Sequence, residues 1–338
     1  MDVAVIWDEA YAWHDTGEHP EGADRLTSVV DHLRGSDLWP RLRVVTPPAA
    51  SEDDLLRVHT RGHVAMVRRA AEGGGAWLDP DTHVSPRSYE VALLAVGGAL
   101  EATRLWREGV VSFALVRPPG HHATPDRAMG FCLFNNVAIA ARRLLDAGLE
   151  RVAIVDWDVH HGNGTQAAFY REPGVLYVSV HQWPHYPGSG FFGECGEGAG
   201  LGFTVNVPLP AGSTDGDYAA VFAQLVEPVV RRYRPQALLV SAGQDIHADD
   251  PLGGMRVTET GFAHMALRCL RLAEEACGGR LALVLEGGYN RAALARSVAA
   301  ILRALLDGAA PEPEAGTTER AMAALARARE TQSVFWRI

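Results

Sequence analysis

Short apolar runs and helical patterns alternate along the centre of the chain. Continuous runs at 113–116, 152–155, 175–180, 237–240 and 281–285 are β-branched or leucine-rich, which is typical of strands buried on both faces of a parallel sheet. Amphipathic patterns at 136–147, 218–233 and 259–276 predict helices between them. The pattern therefore predicts an open α/β fold.

Polar and glycine-rich segments follow all five predicted strands. In chain order they read RPPGHHA, DWDVHHGNG, HQWPHYPGSG, SAGQDIHADDP and EGGYN. Ligands of open α/β sheets bind beyond the carboxyl ends of the strands, and glycine lets the backbone approach a ligand closely. We therefore expect one functional site at this edge of the sheet.

The C-terminal region has a different composition. A Pro/Glu/Gly-rich stretch at 308–316 separates a main domain, residues 1–308, from an extension, residues 309–338. A helix is predicted at 318–330. The apolar tail SVFWRI is expected to pack on the same core as a strand or a plug.

Composition narrows the functional classes. The 338 residues are 47% hydrophobic with a net charge of −10, and all 31 basic residues are arginine; this balance does not indicate a nucleic-acid surface. The four cysteines lack CxxC spacing and predict reduced thiols. The N-terminus lacks a signal-peptide pattern, and no apolar run is long enough to span a membrane. We expect a cytoplasmic protein.

Asp156, Asp158 and His160 follow one another at a spacing of two. If the strand continued, all three side chains would point the same way, and a divalent cation would compensate their burial. Catalytic zinc keeps three protein ligands and one open position. The interpretation is one Zn²⁺ per chain, held by Asp158 and His160 from this segment and by Asp245 from SAGQD. Asp156 is left out because a fourth protein ligand would close the open position. The competing interpretation is that these groups only cap helices and pair with arginines.

The chain contains five ordered motifs: RPPGHH, GFCLFNN, VDWDVHHGNGTQ, SAGQD with DPLGG, and LEGGYN, and it has HPEGADRL near the start. Together these segments resemble the histone deacetylase branch of the arginase–deacetylase superfamily. The resemblance runs from about Tyr11 to about Ala300. It implies a single-domain arginase–deacetylase fold, with a central parallel sheet of about eight strands flanked by helices. It also implies zinc-dependent hydrolysis of an acetyl-amide or a related acyl-amide.

The resemblance also implies catalytic roles. His122 would take a proton from the attacking water and return it to the leaving amine, and His121 would be its electrostatic partner, held by Asp156. Asn163 stands at the position of the second histidine's partner, where other members have Asp; a neutral partner favours imidazolium less. Tyr289 would donate a hydrogen bond to the substrate carbonyl.

The implied substrate channel is walled by Gly130, Phe131 and Tyr186, since aromatic rings can enclose an alkyl chain. Leu252 stands where acetylpolyamine-specific relatives often carry an acid, which weakens the polyamine interpretation. Asp81 resembles a rim acid that holds the substrate backbone.

Further residues and one loop have expected roles around the site. A K⁺ or Na⁺ ion is expected near Asp156, Asp158, His160 and Ser179. Arg25 resembles an arginine below the site, at an acetate exit or in a structural salt bridge. Gln244 replaces a mostly apolar residue beside Asp245. The segment 183–202 predicts a rim loop that sets specificity or contacts another subunit of a homo-oligomer.

Three alternatives stay open on the sequence. The substrate is either acetyl-lysine or an acetylated small molecule, such as an acetylpolyamine or a secondary metabolite. A dinuclear manganese ureohydrolase would need additional bridging ligands. A binding module without metal is disfavoured because the three ligands, the histidine pair and Tyr289 are all present. Neither nucleic acid nor membrane is expected as a partner.

Overall fold

A computed structural model describes residues 2–314 and 316–338. Its main sheet has eight strands, all parallel, in the order β2-β1-β5-β10-β9-β6-β7-β8. The strands are β1 (Val3–Ile6), β2 (Arg43–Val45), β5 (Val111–Ala114), β6 (Val152–Asp156), β7 (Val175–Gln182), β8 (Thr204–Leu209), β9 (Ala237–Ala242) and β10 (Leu281–Leu285). A separate hairpin consists of β3 (Ala76–Trp77) and β4 (His83–Val84). The predicted fold class is confirmed.

Helices flank the sheet. They are α1 (Asp24–Arg34), α2 (Glu52–Leu55), α3 (Arg61–Glu72), α4 (Ser88–Arg104), α5 (Asn136–Asp146), α6 (Asn163–Phe169), α7 (Asp215–Val221), α8 (Glu227–Tyr233), α9 (Glu259–Cys277), α10 (Arg291–Asp307) and α11 (Glu319–Ser333). Helix α4 packs on β1, β5 and β10, and α5 packs on β6 and β9, while α10 packs on α1 and α9. Within the described residues, no helix is both long and apolar enough to cross a membrane.

The five strands that the sequence predicts form the contiguous centre of the sheet, from β5 to β7. Each is fully buried, as continuous apolar runs require. The strand predicted at 113–116 begins two residues earlier, so Leu115 and Val116 lead into the following loop. The apolar runs alone did not reveal β1, β2 and β8, which lie outside this centre.

The helix predicted at 218–233 is interrupted. A single π-helical turn, Phe222–Val226, joins α7 to α8. The chain stays helical through this turn, but its i→i+5 hydrogen bonds locally shift the 3.6-residue period that the sequence predicts. The helices predicted at 136–147 and 259–276 end within one residue of α5 and α9.

Helix α11 lies against β8, the last strand of the sheet. Thr318 caps the helix through its side chain, and Gln332 donates to the Thr204 carbonyl at 3.3 Å. The tail after it is not a strand, so that alternative is wrong. Trp336 packs its ring on Phe203 at 5.7 Å and donates its indole N–H to the Gly202 carbonyl. The division at residue 308 stays a prediction.

Candidate metal and catalytic site

Asp158, His160 and Asp245 lie together at the carboxyl edge of the sheet. Their potential ligand atoms are all within 4.8 Å of one another. His160 Nδ1 is 3.1 Å from Asp158 Oδ1 and 3.2 Å from Asp245 Oδ2. Two ligands bound at about 2.0–2.1 Å to one tetrahedral ion are roughly 3.3 Å apart. These spacings therefore fit a single small divalent cation.

The backbone fixes both carboxylates. Gly287 N–H donates to Asp158 Oδ2 at 2.8 Å, and Val159 N–H donates to Asp245 Oδ1 at 2.9 Å. A Cβ atom on Gly287 would lie 2.1 Å from Asp245 Oδ2, so a side chain there would displace the carboxylate. The EGGY motif therefore has a glycine at this position because carboxylate and backbone meet there.

One carboxylate oxygen in this group accepts no hydrogen bond. Asp245 Oδ2 is buried and lies 3.2 Å from His160 Nδ1, but outside hydrogen-bonding geometry. Burial and the neighbouring Asp158 carboxylate raise the pKa of Asp245 to about 7. Burial would lower the pKa of His160, but the two carboxylates raise it to about 9. An unpaired buried oxygen in a strongly negative environment fits a cation.

The strand does not continue through Asp158 and His160, whereas Asp156 lies beside His121 as expected. Strand β6 ends at Asp156, so Asp158 and His160 lie on a loop and the assumed strand continuation is wrong. Asp156 accepts from Tyr177 Oη at 2.9 Å and lies 3.0 Å from His121 Nδ1. It therefore faces the histidine pair.

His121 and His122 have opposite electrostatic environments. Burial would lower the pKa of His121, yet the Asp158 and Asp156 carboxylates raise it well above its ordinary value. Burial first, and then repulsion by His121 and His160, hold the pKa of His122 well below its ordinary value. Asn163 Oδ1 is 2.8 Å from His122 Nδ1. The pair thus combines an imidazole whose pKa is raised with one whose pKa is lowered.

Tyr289 is held in place from three sides. Its backbone N–H donates to Asp250 at 2.6 Å, its ring faces Arg25 at 4.9 Å, and Phe131 contacts it edge-on at 5.7 Å. Burial, and then the Asp245 and Asp158 carboxylates, raise the pKa of its hydroxyl against the effect of Arg25, so it stays protonated.

Arg25 holds the EGGY turn. It donates to the carbonyl oxygens of Gly288 and Glu286, each at 2.7 Å, and pairs with Glu21 at 3.1 Å. The structural salt bridge that the sequence analysis considered for Arg25 is therefore present. The two hydrogen bonds from Arg25 to backbone carbonyls position the turn that carries Tyr289.

The aromatic residues of the expected channel lie around the histidines. The Tyr186 ring is 5.1 Å from His122 and 38% exposed. Gly130 has a positive φ of 56°, and a Cβ there would lie 2.4 Å from the His122 ring, so only glycine fits. Phe131 follows it, with its N–H bonded to the Thr82 hydroxyl.

The remaining predicted residues lie at the rim and in the sheet. Burial and then Asp79 raise the pKa of Asp81 to about 6. Leu252 is half-buried, and its carbonyl lies 3.0 Å from His185 Nε2.

Two further predicted residues lie in or next to the sheet. Ser179 is the cross-strand neighbour of Asp156 and lies 2.9 Å from His181 Nδ1. Gln244 is buried with both side-chain polar atoms unpartnered.

Two residues with a place in the site were missed. His185 stacks on His160 with ring centroids 4.9 Å apart and 15° between planes, and His19 packs edge-on against Phe131 at 4.6 Å. His185 lies in the predicted rim loop next to Tyr186, and His19 is the first residue of the HPEGADRL motif. Neither segment indicated these contacts, because His19 is more than a hundred residues from Phe131 in the chain.

Segment 183–202 lies over a buried polar network. His161 lies between the Ser189 hydroxyl at 2.8 Å and Gln166 Oε1 at 3.0 Å. Gln166 donates to Glu194, which accepts from the backbone N–H of Gly190. Hydrogen bonds to this network therefore hold the segment in place.

The sequence of this chain is similar to those of known deacetylases. A family model described as the histone deacetylase domain matches residues 19–305. The chain belongs to the histone deacetylase family. A probable deacetylase of Archaeoglobus fulgidus is 44% identical, over 86% of this chain and 82% of that protein. A histone deacetylase-like amidohydrolase of Pseudomonas aeruginosa is 40% identical, over 86% and 82%.

A solved structure supports the same assignment. The crystal structure of the HDA15 HD domain superposes with a TM-score of 0.93 at 35% identity, covering 99% of this chain and 95% of that one. Membership of this family makes the chain a deacetylase-type hydrolase that acts on an acetylated substrate.

Proposed function

We propose that the protein is a zinc-dependent amidohydrolase that removes an acetyl or related acyl group from an acyl-amide such as acetyl-lysine. The observation that supports this proposal is the cluster of Asp158, His160 and Asp245, whose potential ligand atoms lie within 4.8 Å of one another and include a buried carboxylate oxygen that accepts no hydrogen bond.

Asp158, His160 and Asp245 would hold one Zn²⁺ per chain. Zinc supplies Lewis acidity, which polarises an amide carbonyl and makes water a better nucleophile. In the described part of the chain these three residues form the one group of at least three such donors, which supports a single ion over a dinuclear manganese centre. Asp156, Asp158, His160 and Ser179 remain the proposed surroundings of a K⁺ or Na⁺ ion.

His122 is the proposed proton carrier. Its depressed pKa leaves a neutral ring nitrogen able to accept a proton from water, and Asn163 orients the other nitrogen. The same proton can then pass to the leaving amine. The pKa of His121 is raised by Asp158 and then by Asp156, so in its protonated form this residue would stabilise negative charge that develops beside it.

Tyr289 is the proposed donor to the substrate carbonyl. Its hydroxyl stays protonated, and Arg25 and Phe131 restrict its ring. A pre-oriented donor stabilises the oxyanion without reorganisation during the reaction.

Gly130, Phe131 and Tyr186 are proposed to enclose an uncharged alkyl stem next to the acyl-amide. The rim beyond them gives the polyamine alternative some support, because Asp79 and Asp81 lie close enough to interact and could pair with a distant ammonium. Leu252, which offers no counter-ion, favours acetyl-lysine.

The proposal is tested by metal removal and by substrate competition. Purified protein is assayed on an acetyl-lysine peptide before chelation, after it, and after addition of one equivalent of zinc; full activity in the chelated protein would contradict the proposal.

The substrate is tested separately. The ratio of kcat/KM for acetylspermidine over the peptide is measured in the wild type and in Leu252→Glu. A wild type that already prefers the polyamine about tenfold, or 1.4 kcal/mol, would exclude the acetyl-lysine assignment.

A further inference from the structure

An arginine-rich cavity lies at the edge of the sheet opposite to the candidate site. Arg151 stands directly before β6, and Arg234 lies between α8 and β9, so both are at the amino ends of strands. Asp158 follows the carboxyl end of β6, and a five-residue strand spans roughly 16 Å. The cavity has a volume of about 1040 Å³ and is separate from the metal and catalytic residues.

The cavity walls come from distant parts of the chain. Besides the approach to β6, they include the end of α8, helix α11 and the C-terminal tail. The arginines that line it are Arg151, Arg231, Arg232, Arg234, Arg329 and Arg337. Among the described residues, no Asp or Glu side chain lines it.

Much of this positive charge is not neutralised. Arg231 pairs with Glu227 and Glu275, and Arg151 lies 3.4 Å from Glu150. Over residues 2–314 and 316–338, Arg232, Arg234, Arg329 and Arg337 form no salt bridge, and Arg329 donates to Gln224 at 3.5 Å. Nε of Arg329 is also buried without an acceptor. In a chain of net charge −10, this cluster of largely exposed guanidinium groups with few carboxylate partners is a local positive region that favours an anion.

We propose that this cavity binds a multiply charged phosphate compound of low molecular mass. Guanidinium groups match phosphate oxygens through paired N–H donors, and the cavity is concave and of the size that small ligands occupy. Tyr233 and Pro228 add an apolar wall for a non-phosphate portion of the ligand. The ligand would connect α8, α11 and the tail, and would thereby stabilise the C-terminal region.

Inorganic tripolyphosphate is the probe. Its binding to the full chain, tagged at the N-terminus, is measured by calorimetry at about 0.15 M salt, where exposed charges are screened beyond about 8 Å. We expect one site per chain and a higher unfolding midpoint in its presence. The double variant Arg232→Gln/Arg337→Gln should bind about tenfold more weakly, since it loses two charge-assisted donors.

A matched control separates local from global charge. Arg61→Gln/Arg69→Gln removes the same charge from exposed positions on α3 and should leave the affinity within twofold. The ligand-free unfolding midpoints of both variants verify that they fold. The proposal is overturned if tripolyphosphate does not bind, if both double variants weaken it equally, or if sulfate at equal ionic strength displaces it, which would indicate an adventitious ion only.

Discussion

At the residue scale, the site depends on close approach between carboxylates and backbone. Gly243 and Gly287 both lie where a Cβ would come within 2.1 Å of a proposed ligand oxygen, on Asp158 and Asp245 respectively. Their absence of a side chain allows two carboxylates to converge on one point.

Gly287→Ala should therefore weaken zinc binding more than it weakens the fold. The new methyl group displaces Asp245, and the protein should be purified with much less than one zinc per chain, as measured by elemental analysis. Gly193→Ala is the control, because nothing lies within 4 Å of a Cβ at that position. Full zinc occupancy in Gly287→Ala would contradict the proposed role of Asp245.

Tyr289→Phe tests the carbonyl donor. Removing one oxyanion donor lowers kcat by about 100-fold or more, with little change in KM because the bond strengthens in the transition state. Tyr89→Phe, remote from the site and hydrogen-bonded to Arg68, should keep kcat. An unchanged kcat in Tyr289→Phe would remove this residue from the mechanism.

At the element scale, a buried histidine secures the start of α5. The Asn135 N–H donates to His59 Nε2 at 2.9 Å, so Nδ1 carries the proton and lies 3.0 Å from the Thr124 carbonyl. Asn135 in turn caps α5 through its side chain. Burial, followed by repulsion from His63, lowers the pKa of His59 to about 3, so the ring is neutral in the folded protein.

This pKa gives a pH dependence of stability. In the unfolded chain His59 binds a proton below about pH 6.5, whereas the folded protein does not until about pH 3. The free energy of unfolding should therefore fall as the pH falls through this window, by at most about 1.4 kcal/mol per pH unit from this residue. Denaturant unfolding at pH 6.5 and 4.5 should show a smaller loss in His59→Gln than in the wild type; equal losses would refute the assignment.

At the scale of the whole molecule, the C-terminal tail joins the outermost strand to the core. Trp336 contacts Phe203 and Tyr233, while Val334 in the same tail is 80% exposed. Trp336→Ala should lower the free energy of unfolding by about 2 kcal/mol, less than for a fully buried tryptophan. Val334→Ala should change it by less than about 0.5 kcal/mol. Denaturant titration measures both, and equal effects would show that the tail does not stabilise the domain.

The local sequence determined the central strands and the polar segments after them, because a strand buried on both faces must be continuously apolar and only its end can carry chemistry. Residues 281–285 are an example: the run marks β10, and EGGYN follows it. The motifs also identified the family. β1, β2 and β8 were not found this way; β2, at the edge, has exposed and half-buried positions.

Only the tertiary structure decided how distant groups meet. It placed Asp158 and His160 on a loop, left Asp245 Oδ2 unpaired, and directed Arg25 to the backbone of Glu286 and Gly288. It also collected six arginines from separate elements around one cavity. Hydrophobic periodicity specifies which residues are buried in an element. Contacts between residues far apart in sequence depend on the packing of those elements, which no local pattern records.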